Sequence, residues 1–464
     1  MDLLLIQSPF CAQGILPHTD SFTVGEGLLS ICSYLDTKGY STDIFCIDEL
    51  YKDIPDKLFT RRKFFFSDKD VADRLRRANP RVIGIGALTP QYPAALKIAQ
   101  ISRRTCPEAV IVMGGPHVTY TDTQVFRDSA EVDIVVRGEG EWTMEEVLER
   151  VLSSESLEGV KGITYRKGDE VIRNPERPLG DLGGLPPVDY SKPNPEFMKR
   201  SRYFITTTRG CLLNCSYCVE SKYWGHQVRP RSIEAVTAEI KYLVENYDND
   251  IYFLGSVFNY PEGSFRQLCA RLKQFDFGQR DTAALVGAAN LPEEHIHLMK
   301  EAGVKRMLIA VESASEKVLR RMRKPITLQK VIEKCKVAVN CGMTVATFWI
   351  MGHPGETEQT ARESLDAMVY LFERGLNDRQ EVALFTPYPG LPIVQNAEKE
   401  GFRIIDRDLS RYSRFDEPVI ELDTISHEKL CQLYKEAKEI AQFWHSSQRE
   451  LFGHDLESIF KRIK

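Results

Sequence analysis

Apolar and polar positions recur along this chain in two long series of strand-like and helix-like stretches. In the first, residues 3–6 are a short apolar run, and 24–38 repeat apolar positions at helical spacing up to Gly39, a natural helix C-cap. Residues 41–47 alternate as a strand does. The run at 82–87 (VIGIGA) is apolar throughout and β-branched, as in a strand covered on both faces. A helical stretch at 92–103, a strand at 110–113 stopped by Gly114-Gly115-Pro116, a strand at 134–136 and a helix at 141–152 follow. This alternation predicts an α/β domain over 1–152, with a doubly wound parallel sheet. Ligands of such sheets sit beyond the carboxyl ends of the strands, where Thr89, Pro90, the turn at 114–117 and Gly138-Glu139-Gly140 fall.

Residues 153–200 break the pattern. A small hairpin is expected near 163–165 and 171–172, and the dense Pro and Gly after it read as a linker. The second series predicts strands at 203–208, 251–254, 283–288, 306–311, 344–350 and 381–384, separated by helices at 233–246, 264–274, 293–302, 328–341 and 358–374. Six β/α units over 201–400 imply a parallel barrel or partial (β/α)6 barrel, whose chemistry lies on the loops after the strands. The tail, 401–464, is mixed and polar until a helical pattern at 427–445 with Leu430, Leu433, Ala437 and Ile440 on one side, expected to pack on the barrel mouth. There Trp444 and His445 line a substrate pocket or, as is commoner for such residues, sit in core or surface.

Composition narrows the partners. The chain has 464 residues, 61 basic against 66 acidic, and a net charge of −5, so no basic field argues for nucleic acid. No apolar run is long enough for a membrane span, and the first apolar run is too short for a signal-peptide core and lacks a basic start. Eight of the eleven cysteines are scattered, which fits reduced thiols in a cytoplasmic protein.

The other three stand in Arg209-Gly210-Cys211-Leu212-Leu213-Asn214-Cys215-Ser216-Tyr217-Cys218, right after the first strand of the second series. Three thiolates at C-x3-C-x2-C spacing can each ligate one iron of a cube, leaving one iron open. Structural zinc usually takes four ligands in short-spaced pairs, and no second pair stands nearby. An odd count within eight residues also suits a disulfide poorly.

This motif resembles the cluster loop of the radical SAM enzymes. The resemblance implies a [4Fe–4S] cluster on Cys211, Cys215 and Cys218, with S-adenosylmethionine chelated at the open iron and cleaved to a 5'-deoxyadenosyl radical. Tyr217 matches the aromatic residue placed before the third cysteine, and its expected role is stacking on adenine or relaying a hydrogen or proton. Val311-Glu312-Ser313-Ala314-Ser315 resembles the motif holding the ribose, which assigns Glu312 and Ser313 to the cofactor; a helix N-cap in this run is the alternative. Met351-Gly352-His353-Pro354-Gly355-Glu356-Thr357 resembles the turn lining the adenine, through Gly352 and Pro354. Pro387-Tyr388-Pro389-Gly390 resembles another recurring family turn. Arg229 and Arg231, in an Arg-x-Arg-Ser run, are expected to pair with the cofactor carboxylate or the substrate, or to be a solvated surface pair.

Met113-Gly114-Gly115-Pro116-His117 and Val136-Arg137-Gly138-Glu139-Gly140-Glu141 resemble the cobalamin-binding-type, flavodoxin- or Rossmann-like domain fused to many radical SAM enzymes. Thr89, Gly114, Gly115, His117 and Gly138 are the contacts this implies, His117 serving as a ligand contact or as a hydrogen-bonded cap. No Asp-x-His-x-x-Gly run supplies a lower-ligand histidine, so cobalamin is an open question at this stage. One departure stands out. The acidic Phe-x-Asp-Asp/Glu-x-Phe pattern of relatives is replaced by Phe253-Leu254-Gly255-Ser256-Val257-Phe258-Asn259, so contact to a cofactor amino group or a cationic substrate falls to Ser256 or Asn259.

The resemblance implies hydrogen abstraction from an unactivated C–H of a small natural-product substrate, with a flavodoxin- or ferredoxin-type electron donor. The compact chain favours radical dehydration of an aminoglycoside sugar diol of the paromamine type without cobalamin, completed by an NAD(P)H-dependent reductase. A cobalamin-dependent C-methyltransferase is the close alternative. A non-catalytic cobalamin or cluster sensor is the third, and it leaves the ribose and adenine turns without a purpose.

Overall fold

The computed structural model describes residues 1–9, 22–50 and 66–445. The first half is built on β1 (Leu3–Gln7), with β2 (Phe22–Thr23), β3 (Thr42–Cys46), β4 (Val82–Gly86), β5 (Val110–Gly114) and β6 (Ile134–Val136) following along the chain. A hairpin of β7 (Ile163–Lys167) and β8 (Glu170–Arg173) completes the sheet, in the order β3-β1-β4-β5-β6-β7-β8. The first five members are parallel, and the hairpin is antiparallel. Leu3 and Leu5 of β1 join one core with Leu29, Leu35 and Val147 of the helices Glu26–Thr37 and Glu141–Leu152. Leu4 and Ile6 join the other, with Val71, Leu75 and Ile98 of Asp68–Ala78 and Tyr92–Thr105. Successive side chains of a strand point to opposite faces, so a strand covered on both sides reads as an unbroken apolar run.

Two expectations need correction here. The hairpin is not part of a linker: β7 pairs with β6 and extends the first sheet. Nor is the Pro- and Gly-rich stretch after it loose, because Leu182, Leu185, Val188, Tyr190 and Phe197 are all buried in the larger core. The irregular backbone hides a packed strap.

The second sheet holds β9 (Ser201–Thr206), β12 (Ile251–Leu254), β13 (Thr282–Val286), β14 (Arg306–Glu312), β15 (Thr344–Met351) and β16 (Arg379–Leu384); between β9 and β12 run the short strands β10 (Thr208–Arg209) and β11 (Arg229–Pro230). The order is β16-β15-β14-β13-β12-β9-β2, all parallel, and β2 comes from the first half of the chain. Curled into a half barrel, it encloses Tyr252, Ala283, Leu308 and Ala346 on its inner face. The helix His427–His445 packs on Glu358–Glu373 and on the edge strand β16, where Tyr434 Oη donates to the Val382 carbonyl at 3.4 Å, and only its first turn reaches the barrel mouth, with Leu430 against Gly352. The side chains of Trp444 and His445 lie outside the described residues.

The halves meet through buried ion pairs. Arg209 donates to Glu141 at 2.6 Å and to Glu139 at 3.2 Å. Arg229 donates to both oxygens of Glu139 at 2.9 and 3.1 Å. Arg231 is bonded to both oxygens of Glu239 and lies 3.6 Å from Glu26. Glu26 in turn accepts from the Thr206 amide at 2.8 Å, at the end of β9. These side chains are at most 13% exposed, so each charge depends on its partner rather than on water. Among the described residues no helix is long and apolar enough to cross a membrane.

Removing one member of such a pair leaves the other buried and uncompensated. Glu239→Ala should therefore lower stability by about 3–5 kcal/mol, far more than Glu294→Ala, which breaks the exposed Arg266 pair. The shift in urea midpoint of the two variants measures the difference.

Candidate active site

β10 and β11 pair antiparallel, Thr208 opposite Pro230 and Arg209 opposite Arg229, and so clamp both ends of the cysteine loop. At its start Gly210 has φ +95°, and a Cβ there would lie 1.9 Å from the Gln227 carbonyl oxygen, so only glycine fits. Within the loop the Leu213 amide donates to Cys211 Sγ at 3.4 Å and the Cys218 amide to the Cys215 carbonyl at 3.3 Å. The opposite wall is the end of the helix Glu316–Arg321: the Ser216 amide donates to the Met322 carbonyl at 3.0 Å, and Cys215 Sγ is 3.9 Å from the Arg323 carbonyl.

All three cysteines are partly exposed; they and the seven others among the described residues are free thiols, and Cys11 lies outside that set. Burial pushes Cys218 up to about 12 and Cys215 upward, a cost that cationic iron reverses by binding thiolate. Among the described residues no three His, Cys, Asp or Glu side chains converge as ligands of a single ion do. One thiolate per iron of a cube needs no such convergence, so this donor set fits the cluster and not a closed zinc site.

Beside the loop, at the end of β14, Glu312 is held in the left-handed region at φ +65°, where an L side chain is strained. Its Oε1 accepts from Tyr217 Oη at 2.7 Å and from Lys324 Nζ at 3.1 Å, while Oε2 has no bond among the described residues. Burial and the Glu312 charge push the Tyr217 phenol well up, so it stays a donor. Ser313 is fully buried, accepts from the Ser315 amide at 3.2 Å and faces Ser364 at 3.3 Å, so its hydroxyl is committed to the turn. Gly352 and Pro354 are buried at the end of β15. The Gly352 amide donates to Glu356 at 2.6 Å, and His353 Nε2 meets Ser216 Oγ at 2.8 Å, which ties the adenine-type turn to the cysteine loop.

Several expected contacts prove otherwise engaged. Arg229 and Arg231 are neither solvated nor turned to a ligand: they hold Glu139, Glu239 and Glu26. Ser256 Oγ donates to Glu220 at 2.6 Å. Asn259 holds the Gly287 amide and the Asn290 carbonyl. Thr89 and His117 bond each other at 3.2 Å, and His117 is buried against the Tyr92 ring, which makes it an internal brace. Gly115 has φ +112°, and a Cβ there would meet the Ala87 carbonyl at 2.7 Å. Gly138 has open space around it, a Cβ on Gly114 would touch nothing closer than 3.9 Å, and Ser8 Oγ at the end of β1 is buried without a partner among the described residues. Open backbone at two strand ends with an unpartnered hydroxyl nearby fits a flat ligand such as a corrin.

This edge faces the cysteine loop. Tyr223 Oη donates to the Gly138 carbonyl at 2.9 Å, and the Tyr120 ring packs on Gly390, within electrostatic reach of Cys218. Lys324, Glu220, Tyr120 and His353 thus join the site without a role assigned to them in the sequence. His353 stood inside the adenine-type turn and Glu220 two residues past the third cysteine; Lys324 and Tyr120 carried no such signal.

The radical SAM superfamily profile matches residues 205–368, and the B12 binding domain profile matches residues 26–148. The chain belongs to the radical SAM superfamily and carries a B12-binding-type domain ahead of the half barrel. Membership brings a [4Fe–4S] cluster and S-adenosylmethionine as cofactors. An uncharacterized methyltransferase of Pyrococcus horikoshii is 29% identical over 378 residues, 79% of this chain and 80% of that protein. The anaerobic magnesium-protoporphyrin IX monomethyl ester cyclase of Rubrivivax gelatinosus is 26% identical, over 86% of this chain and 70% of that one. Among solved structures, the radical SAM methyltransferase TsrM of Kitasatospora setae, with cobalamin and cluster bound, superposes with a TM-score of 0.69 at 16% identity, covering 90% of this chain and 82% of that one. That likeness is one of fold.

Two outcomes are expected of this radical SAM chain. Gly210→Ala, by displacing the Gln227 carbonyl, should lose cluster iron as fully as Cys218→Ala, read by iron analysis after anaerobic reconstitution. Burial also pushes His117 down to about 4, so its neutral form stabilises the fold above the unfolded value near 6.5, and that stability is lost as pH falls from there toward 4. His117→Gln should flatten this acid limb by up to roughly 3 kcal/mol, measured as denaturation midpoint against pH.

Proposed function

We propose that this radical SAM enzyme is a cobalamin-dependent methyltransferase acting on a carbon of a small-molecule substrate, fed by an external one-electron donor. The observation that carries it is the orientation of the first domain. Its open strand ends, at Gly114 and Gly138, are turned to the cysteine loop and held there by Arg209, Arg229, Glu139 and Glu141. A domain kept only as scaffold has no need to present its ligand edge to the cluster. The P. horikoshii relative and the K. setae fold-mate are both named methyltransferases, which supports the same reading. Neither they nor the R. gelatinosus cyclase is named a dehydratase, and nothing in the geometry favours the aminoglycoside dehydration expected from the compact chain.

When bound, the cluster and S-adenosylmethionine supply the carbon radical, and cobalamin supplies a transferable methyl group. The protein's part is placement. Cys211, Cys215 and Cys218 hold the cluster, and Glu312 offers Oε2 to vicinal hydroxyls while Tyr217 and Lys324 fix its other oxygen. Gly352 and Pro354 line the adenine side. His353, which burial pushes down to about 4, stays neutral and braces the turn against Ser216.

Anaerobic reconstitution with hydroxocobalamin tests the reading. Stoichiometric cobalamin by absorbance, with both S-adenosylhomocysteine and 5'-deoxyadenosine released on turnover, is expected. Protein that forms 5'-deoxyadenosine while retaining no cobalamin would return the assignment to dehydration or another radical outcome.

A further inference from the structure

The carboxylates between the two halves nearly all have a cation. Glu139 and Glu141 face Arg209, Glu26 and Glu239 face Arg231, and Glu312 faces Lys324. Glu220 does not. It begins the short helical turn Glu220–Tyr223 just past Cys218, and its carboxylate accepts only the Ser256 hydroxyl among the described residues, at 2.6 Å. Ser256 follows β12, so the carboxylate lies at the mouth of the second barrel strand, where this sequence has no acidic residue of its own. The Tyr120 phenol is close enough to Glu220 and Cys218 to feel both charges, and its buried hydroxyl has no partner among the described residues. Glu356 also lacks a cation, but it is fully enclosed and holds the Gly352 amide, out of a ligand's reach.

A half-buried carboxylate that accepts one hydroxyl and has no cation is short of hydrogen-bond donors and positive charge, and the Tyr120 oxygen within electrostatic reach can accept a further donor. An anion would be repelled there, and an apolar group would leave both polar atoms unmatched. An amine answers both. Two amines come into question, that of the methionyl part of S-adenosylmethionine and one on the substrate, and the position next to a cluster ligand favours the first.

We propose that Glu220, oriented by Ser256, accepts a hydrogen bond from the amino group of bound S-adenosylmethionine, supplying from the cysteine loop the carboxylate missing after the second barrel strand. This rests on the cluster assignment to Cys211, Cys215 and Cys218, but not on methyl transfer.

The test is a titration of the reconstituted protein, without cobalamin or substrate, with S-adenosylmethionine and with its analogue lacking the amino group. Its failure is thus told apart from failure of the methyltransferase reading. Glu220→Gln should keep its iron, bind S-adenosylmethionine roughly 10- to 100-fold more weakly, and bind the desamino analogue within about 2-fold of the unaltered protein. Unchanged affinity for S-adenosylmethionine overturns the proposal, and so does an equal loss for both ligands. Should Glu220→Gln lose iron, Ser256→Ala, which leaves the carboxylate unoriented, decides in the same assay: a loss selective for the amino-bearing ligand upholds the proposal and no selective loss overturns it.

Discussion

Three arginines from the second half of the chain enter the junction with the first and are met there by four glutamates. Arg209, Arg229 and Arg231 against Glu26, Glu139, Glu141 and Glu239 form the interaction on which the site depends. Such charges are costly to bury, and their mutual attraction repays the cost only when every donor and acceptor is matched. Most are matched here, with Arg229 Nε and Arg231 Nε left over among the described residues: the Glu141 carboxylate also accepts from Ser30 at 2.6 Å, and Glu139 from the Gly180 amide at 2.9 Å. A sliding or tilting of one domain on the other would break several of these bonds together. Arg209 immediately precedes Gly210 and Cys211, while Glu139 immediately follows Gly138. The same pairs therefore fix the distance between the cysteine loop and the open edge of the first sheet.

Around the cysteine loop the fold relies on backbone more than on charge. Carbonyls of 321–323 face Cys215 and Ser216, and the β10–β11 ribbon closes the loop behind Gly210. Glu312 is the exception, a strained acidic residue held by Tyr217 and Lys324. Strain kept in place by two specific bonds at a strand end marks a residue held for what it does there rather than for stability.

The sheets were legible because their strands are covered on both faces and so appear as apolar runs, 82–87 above all. The helix Asp68–Ala78 escaped notice, since only Val71, Ala72 and Leu75 are buried in an otherwise charged stretch. The hairpin was visible but its partner was not, because an antiparallel edge is chosen by what lies beside it. The arginines of the Arg-x-Arg-Ser run looked like ligand contacts for a related reason: a guanidinium in sequence carries no sign of which carboxylate it will meet, and theirs are as much as 205 positions away, at Glu26.

The cysteine spacing, the strand-end turns and the alternation of elements were decided locally, by residue type over a few positions, and they carried the fold class and the superfamily. What depends on contacts between distant segments had to wait for three dimensions. Tertiary structure alone turned His117 inward to Thr89, brought Lys324 onto Glu312 and set Tyr120, at the end of the helix Pro116–Tyr120, against Gly390 of the second half. Packing brings such groups together across 12 positions for Glu312 and Lys324, 28 for Thr89 and His117 and 98 for Tyr120 and Cys218, and no periodicity in the chain records that.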